Sequence, residues 1–310
     1  MKCSKCGKEA VVKIKYAGIK LCKEHFVEFI DRKVKREIRE QAHFHKDDRI
    51  LIAVSGGKDS MVTLYHMHKI FHAWKDLELI AVTVDEGIGT FRQECAKIAN
   101  SYARKLGIEH RTITFKDYIG ITTDDVAKVD KELKPCTYCG VFRRKVLNMF
   151  AKEIGANYLV LGLNLDDIAQ SIIMNITRGD TARLARLAPH RKIREGFVPR
   201  IIPLRKVREE EVRMYAKIVG IPYHPGRCPY ASLAVRDVYR DFLNRLEERD
   251  PATKFSIVNF FDEIKPMIEE RYQEKLRPCK ICGEPTTGEI CKACQLKLRY
   301  EAMSKEAQLH

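Results

Sequence analysis

The sequence has no apolar run approaching the ~18–20 residues that a membrane-spanning helix needs. Its first residues contain a cysteine pair and no apolar stretch of the kind that forms a secretory signal. These absences predict a soluble, cytoplasmic protein with no membrane association. Disorder throughout is excluded because 45% of the 310 residues are apolar and 8% are aromatic, which is enough for a buried core. Glutamine and asparagine are scarce beside 32% charged residues, a balance weakly typical of thermophiles.

Acidic residues are outnumbered, with 42 Asp and Glu against 57 Lys and Arg, giving a net charge of +15. Such an excess favours a polyanionic partner, either a nucleic acid or an anionic membrane face, although it also serves solubility. Between Arg178 and Arg213 there are eleven basic and five acidic residues. That stretch is predicted to contact phosphates, the alternative being a solvated loop.

Cysteines number eleven, which in a cytoplasmic chain indicates metal binding and not disulfides. Two sets have the spacing of tetrahedral zinc sites, in which the two ligands of each pair are separated by two intervening residues. The first comprises Cys3, Cys6, Cys22 and His25, and the second comprises Cys279, Cys282, Cys291 and Cys294. Four protein ligands fill the zinc shell, so both zinc ions are expected to be structural. Whether the modules also bind a partner is left open.

Short apolar runs alternate with single helical patterns from residue 49 onward, which predicts an α/β fold with a doubly wound parallel sheet. The predicted order is therefore a Rossmann-like domain flanked by N- and C-terminal zinc-binding modules. Its segments are a zinc finger at 1–26, a linking helix at 27–48, a catalytic domain at 49–228, a helical extension at 229–274, and a zinc ribbon with its tail at 275–310.

A phosphate-binding loop is the sharpest local motif. The apolar strand ending near Ala53 runs into Ser55-Gly56-Gly57-Lys58-Asp59-Ser60, and a helix opens at once. Unpaired backbone N–H groups at a helix N-terminus bind anions, and here Lys58 adds a positive charge. The motif is not a Walker loop, since G-x4-G-K-[ST] is absent. A chance Gly-Gly turn is the alternative, and the surrounding residues disfavour it.

Carboxylates follow two other predicted strands, at the sheet edge where α/β proteins place their ligands. Asp85 comes after the second strand, and Gly162 precedes Asp166 and Asp167 after a later one. We expect Asp85, Gly162 and Asp167 to line the nucleotide site. For the aspartate pair, an acidic helix N-cap is the alternative interpretation.

Three further cysteines lie in the middle of the chain. Cys136 and Cys139 open a predicted helix, and Cys228 lies in a Pro/Gly-rich loop. Three thiolates make an incomplete zinc set and suit a 4Fe–4S cluster with one open iron. The spacing alone does not distinguish iron from zinc, and buried free thiols are a further alternative. Arg143 brings positive charge to the helix after this pair.

The segment Ser55–Ser60 resembles the PP-loop of the N-type ATP pyrophosphatases, which belong to the HUP type of Rossmann-like fold. Together with the three central cysteines and the two terminal modules, it is similar to the tRNA 2-thiolation enzymes of the TtcA/TtuA group, especially the TtuA type. This resemblance implies an ATP-dependent tRNA 2-thiouridine synthetase that acts on T-loop position 54. Uridine O2 would be adenylated and then replaced by sulfur, with release of pyrophosphate and AMP.

The resemblance also implies roles and partners. It assigns ATP to Ala53, Ser55–Ser60, Asp85, Gly162 and Asp167, and its Mg2+ in part to Asp59 or Asp167. The catalytic candidates are Lys58, Asp59, Arg143 and Asp167. The partners it implies are tRNA, ATP, a ubiquitin-like thiocarboxylated sulfur carrier and a second copy in a homodimer. Thiolation of tRNA cytidine 32 or of an anticodon uridine would use the same residues. A zinc-ribbon RNA-binding protein without catalysis is the alternative from another class.

Overall fold

The computed structural model of the protein describes residues 1–190, 195–233, 235–272 and 275–308. Five parallel strands form its central sheet, in the order β5-β4-β3-β6-β7. They are β3 (Arg49–Ala53), β4 (Glu78–Asp85), β5 (Glu109–Thr114), β6 (Tyr158–Leu161) and β7 (Arg200–Ile201). The chain winds outward in both directions from β3, which confirms the predicted doubly wound sheet.

Helices connect and cover these strands. Those of the first half are α1 (Lys23–Gln41), α2 (Lys58–Phe71), α3 (Phe91–Lys105), α4 (Phe115–Ile119), α5 (Thr123–Val129) and α6 (Pro135–Glu153). Those of the second half are α7 (Leu165–Ile176), α8 (Thr181–Ala185), α9 (Glu209–Val219), α10 (Arg236–Arg249), α11 (Thr253–Arg271) and α12 (Lys292–Gln308). No described helix combines the length and apolar character that crossing a membrane requires.

The sheet is buried on both faces, as a parallel sheet requires. Alternate residues of β3 point to opposite sides, so Ile50 and Ile52 join the hydrophobic core with α1, α2 and α9, while Leu51 joins the core with α4 and α6. A third, smaller cluster packs α7 against α8, α10 and α11 through residues such as Ile168 and Phe261. The predicted helical extension, which contains α10 and α11, therefore packs directly against α7 and α8.

The two terminal modules add buried side chains to the hydrophobic cores on opposite faces of the sheet. At the N-terminus, β1 (Val12–Ile14) and β2 (Ile19–Leu21) form an antiparallel pair whose module contributes Cys3 and Cys22 to the first core. At the C-terminus, β8 (Arg277–Pro278) and β9 (Pro285–Thr286) form another, and Cys279 with its partners joins the second core. Each module thus covers one face of the sheet.

Prolines occupy positions in two of the helices. α6 begins at Pro135, where proline suits the first turn of a helix. α11 continues through Pro266. The predicted basic stretch from Arg178 to Arg213 includes α8 and β7, and its residues 191–194 lie outside the described residues.

His66 on α2 is 1% exposed, and burial lowers its pKa from 6.5 to about 4, although Asp31 at 3.7 Å opposes that shift. Below pH 6.5 His66 therefore binds a proton in the unfolded chain, whereas in the folded chain it binds one only near pH 4. Stability should fall across that window, and this histidine should account for about 2 kcal/mol of the loss between pH 7 and pH 5. Urea unfolding at both pH values measures it.

A histidine-to-methionine pair provides the comparison. His66→Met removes the buried proton acceptor, so its free energy of unfolding should change less between the two pH values than that of the unaltered protein. His43→Met alters an exposed histidine and should leave the pH dependence unchanged. Equal pH dependence in all three proteins would contradict the assignment to His66.

Candidate active site

The candidate site lies at the carboxyl edge of the parallel sheet, at β3, where the strand order reverses direction. β3 pairs with β4 on one side and with β6 on the other. The segments after these three strands therefore meet at one place. They carry the phosphate loop, Asp85 with Glu86, and the segment from Gly162 to Asp167.

The phosphate loop is held open by internal hydrogen bonds. Ser60 Oγ donates to the carbonyl of Gly57 at 2.9 Å and accepts the N–H of Ser55 at 3.0 Å. Gly56 has φ of +79°, and a Cβ there would lie 2.5 Å from the carbonyl oxygen of Cys95. Only glycine fits this turn, because both its backbone angle and its surroundings exclude a side chain.

Lys58 begins α2 and points into the site. Its Nζ lies 2.9 Å from both Asp59 Oδ2 and Glu209 Oε1, and the side chain is 15% exposed. Burial acts against its charge, but the two carboxylates prevail and raise the pKa of Lys58 above its ordinary value. The ammonium is thus permanently charged at neutral pH and is available to phosphate oxygens that displace a carboxylate.

Asn164 and Asp167 connect the end of β6 to the loop. Asn164 caps α7 by accepting the N–H of Asp167 at 3.0 Å, and its side-chain amide donates to Asp59 Oδ1 at 2.9 Å. Asp167 completes the capping box and also pairs through Oδ1 with Arg236 at 3.0 Å. Burial raises the pKa of Asp167, while Arg236 opposes this shift. The helix cap, the alternative role predicted for this aspartate, therefore involves only its Oδ2, while Oδ1 pairs with Arg236.

Close backbone packing brings these segments together. A Cβ at Gly162 would lie 2.6 Å from Ser60 Cα, so the strand end rests on the first turn of α2. Asp85 accepts the N–H of Gly87 at 2.8 Å and shapes the neighbouring turn. Ala53, the last residue of β3, is half-buried beneath the loop.

The three central cysteines are neighbours. Cys136 and Cys139 lie in the first turn of α6, and the thiol of Cys136 donates to the carbonyl of Tyr230, two residues beyond Cys228, at 3.4 Å. Burial raises the pKa of Cys136, and negative charge on Cys139 and Cys228 raises it further. A Cys136 thiol whose ionisation is disfavoured by two neighbouring sulfurs fits a site whose charge is balanced by a metal centre.

The segment that carries Cys228 crosses the phosphate loop. His224 N–H donates to the carbonyl of Gly56 at 2.8 Å, and the His224 ring lies 3.1 Å from Glu94. After Cys228 the chain enters α10, whose first residue, Arg236, reaches Asp167. The phosphate loop, the cysteines and the candidate catalytic carboxylate therefore share one edge of the sheet.

Arg143 contacts the cysteine trio directly. Its Nη2 donates to Cys139 Sγ at 3.0 Å, and its Nε lies 2.7 Å from Glu86 Oε1. The Glu86 carboxylate raises the pKa of Arg143, so the guanidinium keeps its charge beside the sulfur. A fixed positive charge at this point suits an anionic phosphate or thiolate.

Each terminal set brings its four ligand atoms close enough together to bind one metal ion. Cys3, Cys6, Cys22 and His25 offer ligand atoms within 4.8 Å of one another, and so do the four C-terminal cysteines. Burial acts against ionisation of Cys3 and Cys279, but backbone N–H donors outweigh it and lower the pKa of each thiol to about 6. In the described part of the chain these are the only two such sets, so the central trio is wider than a mononuclear site. All eleven cysteines, each in a described segment, are free of disulfides.

Sequence reasoning missed residues that reach the site from distant elements. Glu209 and Arg236 come from α9 and α10, and neither lies in a recognisable motif. Glu86 and Asn164 stand inside the segments singled out, but their type and spacing gave no reason to assign them a role. A buried acidic residue beside a strand end was the one available signal for Glu86.

Comparison with known proteins gives consistent matches along the chain. Residues 29–246 match a family described as PP-loop domain, and residues 2–27 match one described as 2-thiouridine synthetase TtuA, N-terminal LIM domain. A tRNA 2-thiolation protein NcsA of Haloferax volcanii is 36% identical, over 98% of this chain and 100% of the relative. A tRNA-5-methyluridine(54) 2-sulfurtransferase of Pyrococcus horikoshii is 36% identical, over 95% of this chain and 93% of the relative.

One solved structure matches over nearly the whole chain. It is a U34-tRNA thiolase NcsA from Methanococcus maripaludis with its 4Fe–4S cluster, 34% identical, with a TM-score of 0.84 and 96% coverage of both chains. Its likeness therefore includes the terminal modules as well as the sheet.

Proposed function

The chain belongs to the PP-loop family of ATP-dependent tRNA 2-thiolation enzymes, and we propose that it makes 2-thiouridine with an iron–sulfur cluster held by Cys136, Cys139 and Cys228. The observation that carries this proposal is the meeting of the cysteine trio and the phosphate loop at one sheet edge. The similar Methanococcus maripaludis structure holds a 4Fe–4S cluster, which favours iron over zinc for the trio.

The three thiols fit such a cluster on their own chemistry. Cys136, Cys139 and Cys228 are close enough to influence one another's charge but do not converge within the 4.8 Å of a single-ion set. A cluster places its thiolates on different irons and so holds them farther apart than one ion does. Three protein ligands would leave one iron open, and the cluster when bound would carry sulfur from the donor to the uridine without a change in oxidation state.

ATP binding follows from the loop geometry. Backbone N–H groups of the loop and Lys58 would bind the phosphates, with Ser55 and Ser60 as hydroxyl donors and Ala53 and Gly162 beneath. Asp59 would hold Mg2+, since carboxylate oxygens are the ligands it prefers, which leaves Asp167 free for proton transfer. Lys58 would leave Glu209 for a phosphate oxygen, and uridine O2 would then attack the α-phosphorus as pyrophosphate departs.

Asp167 would move the ring proton. Ionised Asp167 can take the proton from uridine N3, which raises the electron density on O2, and can return it once the C2 oxygen leaves with AMP. Arg143 would offset negative charge near the sulfur during that displacement. The contacts of Asp167 with Arg236 and of Arg143 with Cys139 support these two roles.

Position 54 of tRNA is our first candidate target, because residues 2–27 match the N-terminal module of TtuA and the Pyrococcus horikoshii relative is named for position 54. Wobble position 34 is the second candidate, favoured by the solved U34-tRNA thiolase. Nucleoside mapping of tRNA incubated with the enzyme, ATP and a sulfur source distinguishes them.

Site-specific substrates sharpen that experiment. A tRNA with cytidine at position 54 should lose sulfur incorporation, and the same tRNA with cytidine at position 34 should keep it. The reverse pattern would establish the wobble candidate. Sulfur at cytidine 32, or no pyrophosphate release with tRNA and ATP, would overturn the proposal, and the second result would favour an RNA-binding protein without catalysis.

We further propose one structural Zn2+ in each terminal set. Cys3→Ser and Cys279→Ser should each reduce the zinc content from about two ions per chain to about one, because each change leaves three ligands in its set. The melting temperature should fall in both, since each module is continuous with a core. Cys95→Ser is the control and should retain both ions by elemental analysis. Purified protein without zinc would contradict the assignment.

A homodimer and a thiocarboxylated sulfur-carrier protein complete the proposal. Val238, Phe242 and Leu246 form an apolar stripe on α10 that is 39–69% exposed. α10 carries four arginines and four acidic residues, so this helix is neutral in a chain of net charge +15 and suits a second copy better than RNA. Phe242→Glu should halve the mass measured by light scattering. Thiolation with the carrier as sole sulfur source tests the donor.

A further inference from the structure

Glu86 is a buried carboxylate that the described mechanism does not use. It directly follows β4 and is 1% exposed. Its Oε1 lies 2.7 Å from Arg143 Nε, and its Oε2 pairs with Arg92 Nε. An unpaired buried carboxylate would be costly, and ion pairs with two arginines, one at each oxygen, offset that cost here.

The backbone around Glu86 is fixed. Its carbonyl accepts the N–H of Thr123 at 2.8 Å, at the start of α5. The next residue, Gly87, has φ of +65°, and a Cβ there would lie 2.5 Å from Thr122 Cβ. The carboxylate therefore projects from a rigid point and can determine where its partners lie.

Each of the two arginines continues to a different part of the site. Arg143 Nη2 donates to Cys139 Sγ at 3.0 Å, and Arg92 Nη1 donates to the carbonyl of Ser55 at 3.4 Å. Glu86 is thus the common partner of the groups that contact the cysteine trio and the phosphate loop. No other described residue bridges the two arginines in this way.

We propose that Glu86 is a positioning residue that holds Arg143 against the Cys139 sulfur and Arg92 against the phosphate loop. This inference rests on the proposed cluster at Cys139. Hydrogen bonds to cluster sulfurs raise the reduction potential, so the N–H···S contact offers a readout that is independent of turnover. A charge-neutral loss of Glu86 should therefore lower that potential, because the N–H···S contact is lost without a change in net charge.

The test compares Glu86→Gln, Arg143→Met and the double variant in reconstituted holoenzyme. Each single change should slow thiolation about tenfold or more, because a misplaced group loses its alignment, and Arg143→Met should also lower the cluster midpoint potential. The double variant should be no slower than Arg143→Met, since Glu86 acts through Arg143. Glu109→Gln, which alters an exposed ion pair with Arg111, is the control and should change neither quantity. Iron content should be equal in all.

Removing the carboxylate leaves two arginines facing each other, which could prevent folding. Glu86→Gln combined with Arg92→Met removes the surplus charge, and it should show the same lowered potential. A non-hydrolysable ATP analogue should raise the melting temperature of metal-free protein less in this double variant than in the unaltered protein. The reason is that the contact of Arg92 with the Ser55 carbonyl is lost.

The outcomes separate this inference from the function it rests on. Unaltered protein that binds no iron would overturn the proposed cluster and this inference with it. Unaltered protein with an active cluster, together with Glu86 variants of unchanged potential and rate, would overturn the role of Glu86 alone. Additive effects in the double variant would show that Glu86 does not act through Arg143.

Discussion

Cys136→Ala should abolish tRNA thiolation and the broad visible absorbance of the reconstituted protein, while ATP binding survives. Cys136 is one of only three thiolates proposed for the cluster, and two ligands cannot hold it stably. The phosphate loop should be unaffected, because its hydrogen bonds run among Ser55, Gly57 and Ser60. Visible spectra, iron analysis and single-turnover thiolation assays measure the three properties after anaerobic reconstitution.

Cys95→Ala is the matched control for this experiment. Cys95 is 2% exposed on α3 and belongs to neither a terminal set nor the central trio. The control should keep full iron content and thiolation. An ATP analogue should raise the melting temperature of both variants by the same amount. Thiolation by an iron-free Cys136→Ala protein would exclude the proposed route of sulfur.

Asp167→Asn should slow thiolation by about 10²–10⁴-fold, the usual contribution of a general acid or base. Asparagine can still accept the capping hydrogen bond from Asn164, so α7 should remain folded. Iron content and ATP binding should persist. Burial raises the pKa of Asp167, so its ionised form, and with it activity, should increase with pH through a value above that of an ordinary carboxyl. The variant should lack this rise.

Asp241→Asn, an exposed carboxylate on α10, serves as the comparison for the loss of one negative charge. It should retain activity within about twofold, as surface substitutions do. If Asp167→Asn were equally active, Asp167 would be a helix cap alone. Retention of the pH dependence in the asparagine variant would assign the titrating group elsewhere.

Local patterns were sufficient for the elements and for the ligand sets. The run from Ile50 to Ser60 combines an apolar strand, two glycines and a helix start, so its loop could be recognised without knowing its neighbours. The terminal metal sets were equally clear, because each knuckle lies within a few residues. Parallel strand order then brought Asp85 and Asp167 to one edge.

Long-range partners could not be predicted in this way. Glu209 faces Lys58 across 151 positions of chain, and Arg236 meets Asp167 only because α10 packs on α7. Contacts of this kind depend on tertiary packing, which produces no repeating pattern in the sequence. The predicted segment boundary at 228 stays a prediction, and Arg236 shows that residues beyond it reach the site.

Because the two terminal modules share buried side chains with opposite faces of the sheet, neither end of the polypeptide is a dispensable tag. Trimming residues 1–26 would remove apolar cover from one face of the sheet, and trimming residues 275–310 would do so on the other face. Shortening the chain at either end should therefore destabilise the central sheet, and loss of the proposed zinc ions should destabilise the whole molecule and not its ends alone.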